Sequence, residues 1–217
     1  MMTERFIKNE QFNFISKHVA HIKDSTKQHL PAGVLAAVYD ISNEKILTCI
    51  PNMTAEQKNI LDFSKLKTVE AYEQALKKLD NYMLPFPTIT EQQLKKLFPK
   101  SKKLKLPDLS TIDLTRITYL GWNDSRSNKK YVVYELESRL VGIECTFSPS
   151  IKKNICSICH CQGKVTFFST VTKEKKLNNP DYYRSIGNLI CADSSECNKN
   201  MTDASYLKYF LEESLRK

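Results

Sequence analysis

Four cysteines place the tightest constraint on what this chain can fold into. Cys156-Ser-Ile-Cys159 is followed after 31 residues by Cys191, and Cys197 comes five residues later. A C-x-x-C pair on a tight turn lets two thiolates meet one zinc ion at ~2.3 Å each, and a second pair brought back by an intervening hairpin completes a tetrahedron. Four thiolates leave no open coordination position, so one structural zinc ion is expected at Cys156, Cys159, Cys191 and Cys197; catalytic zinc needs a vacancy for water or substrate. The spacer fits this geometry. Residues 164–171 and 186–190 read as two pairing strands, with the polar stretch from Lys173 to Ser185 between them, and so return Cys191 to the first pair.

After Cys197, the residues Met201-Thr202-Asp203 cap a final helix whose apolar side is Leu207, Phe210, Leu211 and Leu215. A knuckle, a hairpin and a closing helix make the treble-clef plan. Other readings of the same cysteines stay open at this point. Cys156-Ser-Ile-Cys159-His160 fits the C-x-x-C-H haem-attachment pattern, but that leaves Cys191 and Cys197 unexplained. A redox dithiol lacks its usual βαβ surroundings. His160 or Cys161 could replace one of the four ligands, since both adjoin the first pair. Cys49 and Cys145 are isolated among apolar residues and read as small buried hydrophobes.

Seven cysteines in a chain that opens MMTERFIKNEQF, without the apolar run of a secretory signal, imply a reducing, cytoplasmic setting. No stretch has the ~18 uninterrupted apolar residues of a membrane span. With 217 residues, 41% of them hydrophobic, the chain is ordinary for a globular protein and long enough for two modest domains. The formal charge of +9 is uneven: residues 1–98 hold 13 basic and 11 acidic side chains, and residues 99–217 hold 20 and 13. The excess in the second half favours an anionic partner such as RNA or an acidic protein face. No Ser-His-Asp order, Walker loop or paired-carboxylate pattern is visible, so no enzyme is expected.

The first hundred residues read as helices. Phe12, Ile15, Val19 and Ile22 recur at spacings of three and four. A second helix starts at Pro31, a third at Thr54 with Gln57 completing a capping box, and a fourth after Thr68, burying Val69, Tyr72, Leu76, Leu79 and Met83 until Pro85 and Pro87 end it. Thr90 and Gln93 begin a short fifth helix. Four such helices pack best as an antiparallel bundle, with the fifth as a bracket. His18, His21 and His29 read as solvated surface histidines. The charge run around Lys100 to Pro107 then marks a boundary, giving a helical bundle over 1–98, a linker over 99–110 and a zinc-binding domain over 111–217. Beyond it the apolar period becomes two, at 112–120, 131–136 and 140–143, with 121–128 and 137–139 as turns. The fold class is α+β: an N-terminal antiparallel helical bundle, then a mixed domain with an antiparallel sheet and a treble-clef-like zinc finger.

Leu120-Gly121-Trp122-Asn123, Ser127-Asn128-Lys129-Lys130-Tyr131, Ile155-Cys-Ser-Ile-Cys159 and Ile190-Cys-Ala-Asp-Ser-Ser-Glu-Cys-Asn-Lys199 with Thr202-Asp203 together resemble the FusB-type elongation-factor-G-binding proteins that give fusidic acid resistance. The likeness spans nearly the whole chain in layout and is most specific after residue 100. It implies a monomeric protein that binds the C-terminal domains of elongation factor G and helps it leave the ribosome when fusidic acid has trapped it with GDP, with no drug chemistry. It also implies zinc on Cys156, Cys159, Cys191 and Cys197, and a contact surface around Ile155, Ile186, Leu189 and Phe210. Some relatives have an aromatic residue before the first cysteine and a lysine five before the third, where this chain has Ile155 and Ile186; Arg184 stands in for that charge. The competing expectation is a zinc-finger module that binds RNA or the ribosome through the basic half.

Overall fold

Amphipathic helices bury a stripe and pleated strands bury a face, so a chain that holds both in succession builds two cores. The computed structural model describes residues 4–101, 103–148, 150–172 and 183–216. It divides into compact units at Met1–Leu84 and Pro85–Lys217. Among the described residues no helix is long and apolar enough to cross a membrane.

The first unit holds α1 (Asn9–Lys27), α2 (Ala32–Thr48), α3 (Ala55–Leu61) and α4 (Val69–Lys78). The expected stripe is the buried one: Ile15, Val19 and Ile22 of α1 are closed from solvent, and Phe12 packs beside them. Thr54 begins α3 with a reciprocal box, its hydroxyl accepting from the Gln57 amide and its own amide donating to the Gln57 side chain. Thr68 caps α4 in the same manner, accepting from the Ala71 amide. Tyr72, Leu79 and Met83 are buried, and α1 packs against both α2 and α4. The chain leaves α4 through a 3₁₀ turn at Leu79–Tyr82, so the helix ends before Pro85 is reached. The unit closes on itself where the Leu84 amide donates to the Ile7 carbonyl at 2.8 Å.

The second unit begins earlier than the sequence suggests. Helix α5 (Glu91–Leu97) has the expected Thr90–Gln93 box. It is not a bracket of the bundle, however, because Leu94 and Phe98 are buried in a cluster with Leu120, Tyr131 and Val133 of the sheet. The expected linker over 99–110 is likewise packed: Leu104, Leu106 and Leu109 lie against that cluster, and the Trp122 indole donates to the Lys105 carbonyl at 2.8 Å. Phe98, Trp122 and Tyr131 form the aromatic centre, with Trp122 stacked on Tyr131 at 5.1 Å between ring centres. The boundary at residue 98 therefore moves to Leu84–Pro85, because α5 gains its apolar partners from the sheet.

Residues 112–118 do not form a strand. Asp108 and Asp113 accept from the amides two residues on, Ser110 and Thr115, and these local bonds start 3₁₀ turns at Leu109–Thr111 and Leu114–Arg116. The sheet comprises β1 (Leu120–Asp124), β2 (Lys129–Leu136), β3 (Arg139–Phe147), β4 (Lys152–Ile155), β5 (Gln162–Val171) and β6 (Ser185–Cys191). All its pairings are antiparallel. The β2–β3 connection takes its turn at Glu137 and Ser138, both at positive φ, as a tight hairpin requires. One edge of β5 is shared between β3, at Phe168–Ser169, and β4, at residues 162–165; β6 takes the other edge. Helices α6 (Ser194–Asn200) and α7 (Ser205–Leu215) follow.

If α5 belongs to this second core, Leu94→Ala should lower the stability of residues 85–217 by ~2 to 5 kcal/mol through the cavity it leaves. Amide hydrogen exchange should speed up in β1 and β2; faster exchange confined to α1–α4 would contradict the assignment.

Candidate metal centre

Two short turns present the sulfurs. In the first, Cys156 to Cys161, the Cys156 amide donates to the Cys161 carbonyl at 3.0 Å and the His160 amide to the Cys156 carbonyl at 2.9 Å, with His160 at φ 56°. The second is supplied by the register of the hairpin. Cys191, at the end of β6, lies opposite Val165, and the Ser157 amide donates to the Leu189 carbonyl at 2.9 Å, which clips the knuckle to β6. Asp193 then starts α6 by accepting from the Ser195 amide, and one turn of helix brings Cys197 to the same point.

The four Sγ atoms lie within 4.8 Å of one another, and all four residues are buried. Cys159 and Cys191 sulfurs are 3.7 Å apart and those of Cys156 and Cys197 3.9 Å apart. A tetrahedron of sulfurs ~2.3 Å from a zinc ion has edges of about 3.8 Å, so the set fits the ion without rearrangement. Backbone amides also support the sulfurs: Cys156 Sγ accepts from Ile158 N at 3.4 Å and Cys191 N at 3.3 Å, bonds that favour a thiolate and orient it. Crowding separates the thiols. Cys156 lies far below the usual thiol range because Cys159, Cys191 and Cys197 donate to its sulfur, whereas Cys197 is pushed far above by the same contacts. A bound divalent cation removes this conflict by accepting all four as thiolates.

His160 and Cys161 do not substitute for a ligand. The His160 side chain is exposed, and Cys161 Sγ is directed to the Asn200 carbonyl at 3.9 Å. Cys49 and Cys145 also lie outside the cluster; burial raises their thiols to about 11 and about 12, consistent with inert apolar packing.

Two buried groups fix the approach of α6. Asn198 accepts from the amides of Thr118 and Tyr119 and donates to the carbonyls of Tyr119 and Ser194, so its amide is fully used. Gly121 permits the contact, since a Cβ there would stand 2.5 Å from Ser194 Oγ and 2.6 Å from the Tyr119 ring. The Gly-Trp-Asn segment expected as a turn is therefore strand β1, and Asn123 Nδ2 donates to the Ala192 carbonyl at 2.8 Å.

The model of the FBP C-terminal treble-clef zinc-finger family matches residues 98–213, more than half of the chain. The chain belongs to this family. A second model, elongation factor G-binding protein, N-terminal, matches residues 6–87. Among solved structures, the chain is similar to one described as the structure of the fusidic acid resistance protein FusC, with 29% identity, a TM-score of 0.78 and coverage of 100% of both chains. No curated protein matches. As an FBP-type zinc finger, the module holds one structural zinc ion, and zinc bound there supplies a closed four-thiolate crosslink between knuckle, hairpin and α6.

The other residues named from sequence in this FBP-type module fall at separate places. Ile155 is 59% exposed at the end of β4. Ile186 and Leu189 sit on opposite faces of β6: Ile186 opposes Thr170, on the side where Asn188 Nδ2 donates to Tyr206 of α7, and Leu189 opposes Phe167 on the other side. Arg184 forms an ion pair with Glu213 of α7 at 3.0 Å. Phe210 is a correction. It is 3% exposed and packed in the zinc-side core, because α7 turns Leu207, Phe210 and Leu211 inward and leaves Tyr209 outside. Phe167, 49% exposed beside Leu189, was not singled out from sequence; its alternation with buried Phe168 is the signal that could have found it. The loop expected over 173–185 falls largely outside the described residues.

Replacing Cys156 or Cys191 with Ser should abolish stoichiometric zinc and unfold residues 85–217, whereas Cys161→Ser should keep both metal and fold. Metal analysis with circular dichroism reads this directly; a Cys191→Ser protein that retained one zinc and its melting temperature would overturn the four-thiolate assignment.

Proposed function

We propose that this protein binds elongation factor G, at that factor's C-terminal domains, and helps it leave the ribosome when fusidic acid has trapped it with GDP. Resistance then comes from protecting the target, with no chemistry on the drug, in the cytoplasm and by a monomer. The observation that carries this reading is the full-length likeness to a fusidic acid resistance protein, joined to a family model for elongation factor G-binding proteins over residues 6–87.

The site is suited to such a role. A closed metal centre has no place for a substrate, but it rigidifies a surface, and a rigid surface that binds one body can alter its affinity for a second. Near the knuckle, exposed Ile155 adjoins a basic strip in which Lys153 faces Lys164 and Lys152 faces Val165. Phe167 and Leu189 form a cross-strand apolar pair beside it, with Val171 exposed further along β5. Apolar anchors within a charged rim make the arrangement that protein interfaces use. In this reading Ile155, Phe167 and Leu189 are the anchors, Arg184 contributes charge while bracing α7, Ile186 supports the hairpin from its other face, and Phe210 acts only through the core.

Immobilised full-length protein should retain purified elongation factor G at both low and moderate salt, because the apolar part of the contact is not screened. Ribosomal RNA held by phosphate contacts should be lost steeply as salt rises. Retention of RNA alone would overturn the proposal in favour of a nucleic-acid module. Leu189→Asp should weaken factor binding tenfold or more, about 1.4 kcal/mol, with zinc content unchanged. Phe210→Ala should instead cost ~3 to 5 kcal/mol of stability, as deletion of a core aromatic does.

A further inference from the structure

Lys130 lies in the middle of β2, paired with Asn123 of β1 on one side and Cys145 of β3 on the other. It is 1% exposed, and among the described residues it is the only buried charged side chain. Burying an ammonium is costly unless something offsets its lost hydration. The contacts at hand are weak ones: Nζ donates to Asn123 Oδ1 at 3.3 Å and stands 5.0 Å from the centre of the Phe168 ring. No carboxylate pairs with it among the described ion pairs.

The compensating charge lies across the core. Burial draws the Lys130 ammonium down to about 8, and the groups that oppose this are Cys197, Cys145, Asp193 and Cys191. Of these, the Cys145 thiol is held at about 12 and is neutral at physiological pH. Asp193 is exposed and already accepts from the Ser195 amide and hydroxyl. Cys191 and Cys197 remain, two ligands of the metal centre. Four thiolates around one divalent zinc carry a net charge of minus two, in surroundings otherwise built of apolar side chains and amides. A polar chain also connects the two sites: Lys130 donates to Asn123, and Asn123 donates to the carbonyl of Ala192, next to Cys191.

We infer that Lys130 is the buried counter-charge of the zinc–tetrathiolate centre, holding its thiolates less basic and the metal more firmly. Cation and centre then offset each other's burial, which explains why a lysine occupies a core position on a central strand. Lys130 coordinates nothing and acts through the electrostatics of the sulfurs.

The test compares zinc-loaded full-length protein with Lys130→Met, which keeps length and loses charge, and Lys130→Arg, which keeps charge. Zinc release to a chromogenic chelator is followed as pH falls. Without the cation the thiolates take up protons more readily, so half-release in Lys130→Met should move up by about one pH unit, a tenfold change in thiolate proton affinity. Lys130→Arg should stay near the parent. In the cobalt-substituted proteins, the thiolate-to-metal absorption band should shift to lower energy in Lys130→Met and not in Lys130→Arg, a readout that core packing alone would not move. A folded Lys130→Met with an unchanged release curve and band would overturn the inference. Should Lys130→Met fail to load metal, an Arg variant that loads and melts like the parent supports it, and one that also fails contradicts it.

Discussion

The convergence of four sulfurs on one point organises the second unit, and it depends on the register of one hairpin. Cys191 meets the knuckle because it lies opposite Val165, and a slip of one residue would turn its side chain to the other face of the sheet. Structural zinc contributes apparent binding free energies of ~10 to 16 kcal/mol, comparable to the whole stability of a typical domain. A module of this size therefore relies on its metal as much as on its apolar core. The core is arranged accordingly: the cysteines are part of the cluster that contains Tyr119, Phe168, Met201 and Phe210.

From that centre the surfaces follow. Helix α6 is held by Asn198 against the start of β1, the approach made possible by Gly121, and α7 closes one face of β5–β6 through Phe210, Tyr206 and the Arg184–Glu213 pair. The opposite face keeps Phe167 and Leu189 within reach of solvent, and the knuckle projects Ile155. A metal that performs no reaction thus fixes which apolar side chains are inside and which are offered outward. Lys130 belongs to the same economy of charge, since an anionic centre inside a sheet requires a cation there.

What could be read from the sequence was what local chemistry determines. The Thr54–Gln57 and Thr90–Gln93 boxes, the stripe of Ile15, Val19 and Ile22, and the strands around Cys191 each depend on neighbours a few residues away. The cysteine spacing was legible for the same reason, as the tetrahedron restricts which pairs can meet. The misreadings were non-local. Alternating apolar residues at 112–118 suggested a strand, but the side chains of Asp108 and Asp113 captured backbone amides and made turns. Helix α5 has the same amphipathic signal wherever it packs, and only its burial with Leu120, Tyr131 and Val133 assigns it to the sheet. Helix α6 is seven polar residues long, too short for a period, although Asp193 with Glu196 three positions on is an N-terminal signature. Phe210 and Tyr209 differ by one position and 100° of helix rotation, which decides between core and surface.

The central claim is that a closed four-thiolate zinc centre sets the shape of the binding surface. X-ray absorption at the zinc edge of the purified protein tests it most directly. The account predicts a single shell of four sulfurs at ~2.3 Å with no nitrogen or oxygen neighbour. A first shell containing a nitrogen, an oxygen or fewer than four sulfurs would contradict it, because the centre would then be open and its role no longer purely structural.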